Sequence, residues 1–235
     1  MKKIIVLIAV LSIVGFSGGC TSEKKTKTVQ DEPVKLSEYL KKEKIKVPKT
    51  PTHKRNVAVQ TKENSNSGGV YSGLPVGSYQ GHPRLGKQNA PNLIEVFWDY
   101  ECPYCQKFFK TTIMVMLKNK SKAKLIVYQL PLKFHKGAKE KAKVALCAHK
   151  YNQFWPASVV LFSWGRRMKI DYSAIAKKIK IEEGKLKNCV QSAWVKKQLQ
   201  QDDQERRKRS VTGTPTVYVN GNRLSNWTKL EKHIK

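Results

Sequence analysis

The chain has 235 residues, with 46 Lys and Arg against 17 Asp and Glu, a formal net charge of +29. Such a surface is drawn to anionic headgroups, lipopolysaccharide, acidic proteins or nucleic acid, although lysine bias in the source genome plus solubility is the simpler account. No nucleic-acid motif with stacking aromatics accompanies the charge, which argues against nucleic acid as a partner.

Residues 1–19 begin with Met1-Lys2-Lys3 and continue into an apolar run over 4–16. That run is too short for a permanent transmembrane helix and fits a secretory signal. Ser17-Gly18-Gly19-Cys20 resembles a bacterial lipoprotein signal, which would make Cys20 the lipidated N-terminus; Ser17 departs from the usual leucine. An ordinary signal peptide leaving a free cysteine is the other reading. Either places the chain in the cell envelope, periplasmic or extracytoplasmic, where disulfides persist. Residues 20–69 are rich in Lys, Thr, Glu and Pro, and read as a flexible basic tether. Residues 21–66 hold 12 Lys and Arg against 6 Asp and Glu, so most of the excess charge lies in residues 70–235.

Residues 70–235 are one domain's worth of chain. A turn-rich lead-in over 73–91 precedes Leu93-Ile94-Glu95-Val96-Phe97-Trp98, which reads as a buried strand. Residues 106–118 space Phe108, Phe109, Ile113, Met114 and Leu117 along one helical face. Between strand and helix stands Cys102-Pro103-Tyr104-Cys105. The first-turn amides of a helix lack intrahelical partners and the dipole adds positive charge there, so both favour a thiolate. Cys102 is therefore expected as the exposed nucleophile, its pKa moved from ~8.5 into the ~3.5–7.5 range. Cys105, one turn in and more buried, is expected to resolve a mixed disulfide. The competing readings are a structural disulfide or half a zinc site. His135, Cys147 and His149 do not supply the second pair that zinc requires.

A second strand is expected over 124–132, ending at Pro131, then long helical periodicity over 137–209. Thr216 to Val219, the turn pair Asn220-Gly221 and the return Asn222-Arg223-Leu224 read as a hairpin. Residues 227–234 close as a helix.

The stretches Phe97-Trp98-Asp99-Tyr100-Glu101-Cys102-Pro103-Tyr104-Cys105 and Val211-Thr212-Gly213-Thr214-Pro215-Thr216-Val217-Tyr218-Val219-Asn220-Gly221 resemble the two signatures of DsbA-like thiol-disulfide oxidoreductases. Ala145-Leu146-Cys147-Ala148 and Phe154-Trp155 are similar to that family's inserted region. The resemblance covers about residues 80 to 235. It implies an α/β thioredoxin fold with an inserted α-helical domain, at about 136–209. It also implies that Pro215 is a cis proline facing the dithiol, with Thr214 beside the cysteines and its backbone free to pair with an extended peptide. Members usually carry a buried glutamate six residues before the first cysteine. Here that position is Val96, and alternation turns Glu95 to the opposite face. Asp99 is the next candidate. Val96-Phe97-x-Asp99, the Pro103-Tyr104 pair and Thr214 instead resemble the isomerases DsbC and DsbG, whose N-terminal dimerisation domain the polar 21–66 segment does not resemble.

Of five cysteines, Cys147 and Cys189 remain once Cys20 is lipidated and Cys102 and Cys105 are catalytic. A structural disulfide joining them leaves no stray thiol; two buried free cysteines or an electron relay are the alternatives. His135 and His149 read as surface or capping residues, Phe154, Trp155 and Trp164 as core, and Tyr104 as exposed. Lysine clusters at 133–143 and 177–187 and the run Arg206-Arg207-Lys208-Arg209 read as solvated surface. The expected activity is extracytoplasmic disulfide exchange, as oxidase or isomerase, needing no cofactor. Its partners would be unfolded or misoxidised exported proteins and a membrane or periplasmic redox partner, with the chain acting as a monomer. The alternative is an envelope binding protein using its basic surface, with a structural C-x-x-C.

Overall fold

The computed structural model describes residues 70–166 and 169–235. The leader, Cys20 and the tether lie outside the described residues.

The sheet contains β1 (Val70–Tyr71), β2 (Leu74–Tyr79), β3 (His82–Leu85), β4 (Asn92–Trp98), β5 (Ala123–Gln129), β6 (Thr216–Val219) and β7 (Asn222–Arg223). Their order across the sheet is β1-β2-β3-β5-β4-β6-β7. Only β4 and β5 run parallel, with Ile94 opposite Leu125 and Val96 opposite Val127. They are joined by helix α1 (Pro103–Lys118), the crossover that a parallel pair requires. On its other side β4 pairs antiparallel with β6, Val96 opposite Val217. The strand before the dithiol and the strand after Pro215 are thus neighbours.

Alternation along β4 sorts its residues between two layers. Ile94, Val96 and Trp98 join the main core with Phe108, Phe109 and Met116 of α1. Phe97 joins Ile126, Tyr128 and Tyr218 on the opposite face.

The sequence between β5 and β6 forms helices α2 (Ala138–Lys150), α3 (Phe154–Ser163), α4 (Tyr172–Ile179), α5 (Glu183–Gln191) and α6 (Ala193–Lys208). Asp171 caps α4 by accepting from the Ala174 amide at 2.9 Å, and Ser192 caps α6. Trp98, fully enclosed, fastens this helical layer to the sheet. Its ring lies 5.7 Å from Phe109, 6.0 Å from Phe154 and 5.3 Å from Phe162 between centroids. Such aromatic pairs are each worth about 0.5–1.5 kcal/mol beyond area burial. Tyr100 and Ser158 share a 2.8 Å hydroxyl hydrogen bond, and the Gln106 amide donates to the Phe162 carbonyl at 2.7 Å.

Three expectations change. The lead-in contains the antiparallel pair β2 and β3, masked in the sequence by Pro75, Gly77, Gly81 and Pro83. Leu74 and Leu85 supply its fully buried positions. The second strand ends at Gln129, before Pro131. The closing helix is a 3-10 turn, Trp227–His233, with Trp227 edge-on to Phe108 at 5.6 Å. At the hairpin, Asn220 and Gly221 both have positive φ, 51° and 81°, the geometry their types favour in a two-residue turn.

Candidate active site

Cys102 is the N-cap of α1 and Pro103 its first residue, where a missing amide hydrogen costs nothing. The chain turns from β4 into α1 with the Cys102 amide donating to the Asp99 carbonyl at 3.2 Å. Both cysteines are free thiols. From the far end of the sequence, Thr214 and Pro215 enter through a cis peptide bond. The Cys102 thiol lies 3.4 Å from the Thr214 carbonyl oxygen, which can accept its proton. Cys102 is therefore only 6 % exposed, against the expectation of an open sulfur, because Thr214 covers it. Cys105 is completely buried and accepts from the Asp99 amide at 3.4 Å. Tyr104, between them, is exposed.

The two sulfurs are pushed in opposite directions. Cys102 is lowered to about 6. The largest cause is a hydrogen bond from the Cys105 thiol; burial opposes it, and the Thr214 hydroxyl and the amides of Cys105 and Tyr104 add to the lowering. Cys105 is raised well above the ordinary thiol range, first by burial, then by giving its proton to Cys102 and by the negative charge there. The Thr214 hydroxyl is enclosed with no oxygen or nitrogen partner among the described residues and lies beside both sulfurs, so the Cys102 anion is the acceptor that would satisfy it. One sulfur ionises near neutrality while its partner keeps a proton to give.

The acids around the motif are held by specific partners. Asp99 turns its carboxylate away from Cys105. One oxygen accepts from the Glu101 amide at 2.6 Å, the other from the Leu132 amide and His135 Nδ1, both at 2.8 Å. His135 is consequently a nearly buried brace, correcting the surface assignment, with its side chain 9 % exposed. His149 is likewise no surface residue: it is partly buried and lowered to about 4, first by burial, then by His82 nearby. Glu101 pairs with Lys141 at 3.0 Å, and the same ammonium donates to the Gly165 carbonyl at 2.6 Å. Lys141, counted in a solvated cluster on sequence grounds, is entirely buried because Glu101 and Gly165 satisfy it. Glu95 lies on the face away from α1, accepting from Tyr128 at 3.0 Å and from Arg209 at 2.8 Å. Arg209 is thus an anchor and not the open end of a basic helix. Its guanidinium sits 5.2–5.8 Å from the ring centroids of Phe97, Tyr128 and Tyr218. The ion pairs Asp99–His135, Glu101–Lys141 and Glu95–Arg209 join residues 36, 40 and 114 apart in sequence, so no local pattern pairs them. Cys147 of α2 and Cys189 of α5 are joined by a disulfide within the helical layer.

A family model described as Thioredoxin matches residues 78–235, more than half of the chain. Disulfide bond formation protein D of Bacillus subtilis is 27 % identical over 173 residues, covering 68 % of this chain and 77 % of the relative. The probable disulfide bond formation protein D of Bacillus anthracis is 26 % identical over 158 residues, covering 62 % and 72 %. Among solved structures, oxidised BdbD from Bacillus subtilis aligns with a TM-score of 0.57 at 25 % identity, covering 67 % of this chain and 91 % of that one. A free dithiol at a helix N-terminus, a cis proline facing it, and a helical insertion in the sequence between β5 and β6 agree with these matches: the chain belongs to the thioredoxin family, as a DsbA-like thiol-disulfide oxidoreductase.

Proposed function

We propose that this protein oxidises thiols of exported proteins through Cys102 and Cys105. The observation that carries the reading is the opposed acidity of the two sulfurs. In the oxidised form the pair is a disulfide. A client thiolate attacks the Cys102 sulfur, the Cys102–Cys105 bond breaks, and Cys105 departs and takes up a proton. The client's second thiolate then attacks its own sulfur in the mixed disulfide, and Cys102 leaves as a thiolate. The client loses two electrons and two protons; the dithiol gains two electrons. A leaving sulfur ionised near pH 6 favours this last step, because a lower leaving-group pKa speeds departure and a stabilised reduced form makes the disulfide the stronger oxidant. Thr214 offers backbone beside Cys102 for an extended client segment. The names of the Bacillus relatives support the oxidising direction.

In this reading Cys147–Cys189 is a staple of the helical layer with no redox part, consistent with 0 % and 6 % exposure. The leader pattern supports export, with Cys20 as lipid anchor; a redox partner in the envelope and action as a monomer complete the reading, and no cofactor enters any step.

Oxidative refolding of a reduced client tests the proposal. Cys102→Ser should abolish the rate, and Cys105→Ser, given a disulfide-bonded client, should accumulate a mixed disulfide as its Cys102 thiolate attacks the client's disulfide and no Cys105 resolves it. A reduction potential near ~−120 mV supports an oxidase, while one near ~−270 mV would turn the assignment to a reductase. Refolding by Cys102→Ser at the native rate refutes the mechanism.

A further inference from the structure

A cleft of about 1040 Å³ opens between the segment after β5 and the facing sides of α2 and α6. Its floor includes Leu130 and Leu199. Its walls carry Lys133, Lys136, Lys139 and Lys196, all exposed and none ion-paired among the described residues. Two further cations, Lys143 and Arg207, already hold Glu140 and Asp203. Both oxygens of Asp203, the sole carboxylate in the lining, are taken by Arg206 and Arg207, so nothing in the cleft neutralises the four free ammonium groups. A concave wall of one sign focuses the field, and opposed like charges favour an anionic occupant.

The cleft adjoins a second cavity that reaches the turn before the dithiol. His135 and Lys136 line both, and the second, of about 730 Å³, includes Glu101, the residue before Cys102. Arg166 and Lys169 add positive charge there, and Phe134, 75 % exposed, offers an aromatic contact. Resting on the disulfide-exchange reading above, we propose that the cleft is a docking channel for an acidic polypeptide segment with interspersed apolar side chains, carried by a protein that exchanges disulfides at Cys102. Carboxylates meet the lysines, apolar side chains meet Leu130, Leu199 and Phe134, and the segment's cysteine lies toward Glu101. A recessed groove with an apolar floor suits a chain that can enter it, whereas a flat lipid surface meets only the rim.

The test uses two synthetic peptides, each with one cysteine followed by a leucine-containing segment whose polar positions are all Glu or all Gln. Mixed-disulfide formation with the oxidised protein is followed in single turnover at low and high salt. The expected result is a Glu-over-Gln rate preference of about tenfold or more at low salt, shrinking as salt screens it. In Lys136→Glu/Lys139→Glu/Lys196→Glu the preference should fall to about unity or invert. The distant surface variant Lys177→Glu/Lys178→Glu/Lys185→Glu should keep it. Equal rates for the two peptides in the wild type, or loss of preference in both variants alike, overturn the channel while leaving disulfide exchange standing. Failure of both peptides to react refutes the exchange reading itself. Binding of phosphatidylglycerol vesicles by the wild type but not by the first variant, with no peptide preference, reassigns the cleft to anionic lipid and also overturns the proposal.

Discussion

Thr214→Val isolates the contribution of one hydroxyl to the sulfur chemistry. Valine keeps the shape of threonine and removes an enclosed donor whose acceptors are the two sulfurs. With Cys102 protonated the loss is small, because an unsatisfied polar group is replaced by an apolar one. With Cys102 ionised it removes a charge-assisted hydrogen bond worth about 1.5–3 kcal/mol, so the pKa should rise from about 6 by about 1–2 units. At pH 7 the wild-type reduced form gains about 1.4 kcal/mol from ionisation, and the variant retains less than about 0.5 kcal/mol. The potential should therefore fall by roughly 20–30 mV for this two-electron couple. Ultraviolet thiolate absorbance against pH gives the first quantity and equilibrium with glutathione the second. Thr214→Ser keeps the donor and should stay near the wild type, which separates the hydroxyl from packing. A Thr214→Val pKa within about half a unit of the wild type would show that the hydroxyl does not hold the anion.

The pH dependence of Cys102 alkylation in the reduced protein should follow the same acidity. Thiolate forms as pH rises, so the rate should climb through about pH 6 and level off above it; a midpoint near pH 9 would contradict the lowering. Replacing Cys147 and Cys189 together by Ala opens a loop with 42 residues of sequence separation, at a cost of about 4 kcal/mol in the chain-entropy model. Denaturant unfolding should register that loss while client refolding persists below the transition. Lys141→Met removes an enclosed ammonium from Glu101 and from the Gly165 carbonyl and should cost about 1–3 kcal/mol, whereas Lys141→Met/Glu101→Gln should recover part of it. Equal stabilities for the single and double variants would deny the coupling. Partly buried His149 is lowered to about 4, so the unfolded chain takes up a proton that the folded one refuses. Its stabilising effect is full above about pH 6.5 and falls by about 2–3 kcal/mol as pH drops to 4. His149→Gln should flatten that part of the profile relative to the wild type.

What could be read in advance was local. Cys102 to Cys105, the Asn220-Gly221 turn and the alternation that turns Glu95 away from α1 each depend on residues a few positions apart. The β2–β3 pair was hidden because Pro75, Gly77, Gly81 and Pro83 look like turn residues. Their neighbours Leu74 and Leu85 reveal a strand only once β5 lies alongside, with Leu85 opposite Leu125. The charged residues were harder, because an exposed lysine and a buried paired one look the same in a sequence. Lys141 was indistinguishable from Lys139 until Glu101, 40 residues away, was seen beneath it. Arg209 likewise read as surface until Glu95, 114 residues earlier, came within reach.

The same distinction explains how the site is built. Groups that set the acidity of Cys102 come from its own helix turn and from Thr214, brought across by the β4–β6 pairing that sets Val96 opposite Val217. Groups that hold those two segments still come from elsewhere: Lys141 from α2, His135 from the segment before it, and Arg209 from the end of α6. Each bracing group ends on a carboxylate of β4 or of the turn beyond its C-terminal end: Arg209 on Glu95, His135 on Asp99, Lys141 on Glu101. The alternate residues Glu95, Phe97, Asp99 and Glu101 therefore bind the strand to its surroundings, while Val96 and Trp98 pack against α1 and the helical layer. Placing an acid at Val96, directly beneath the motif, would put a carboxylate into the main core, where the described residues supply apolar neighbours and no cation. This chain instead leaves that position apolar and raises Cys105 by burial and by the charge of Cys102. Val96→Glu should consequently destabilise the fold by several kcal/mol, the cost of enclosing an unpaired carboxylate, and should not improve exchange. Faster client oxidation by a stably folded Val96→Glu variant would show that the dithiol does need an acid there.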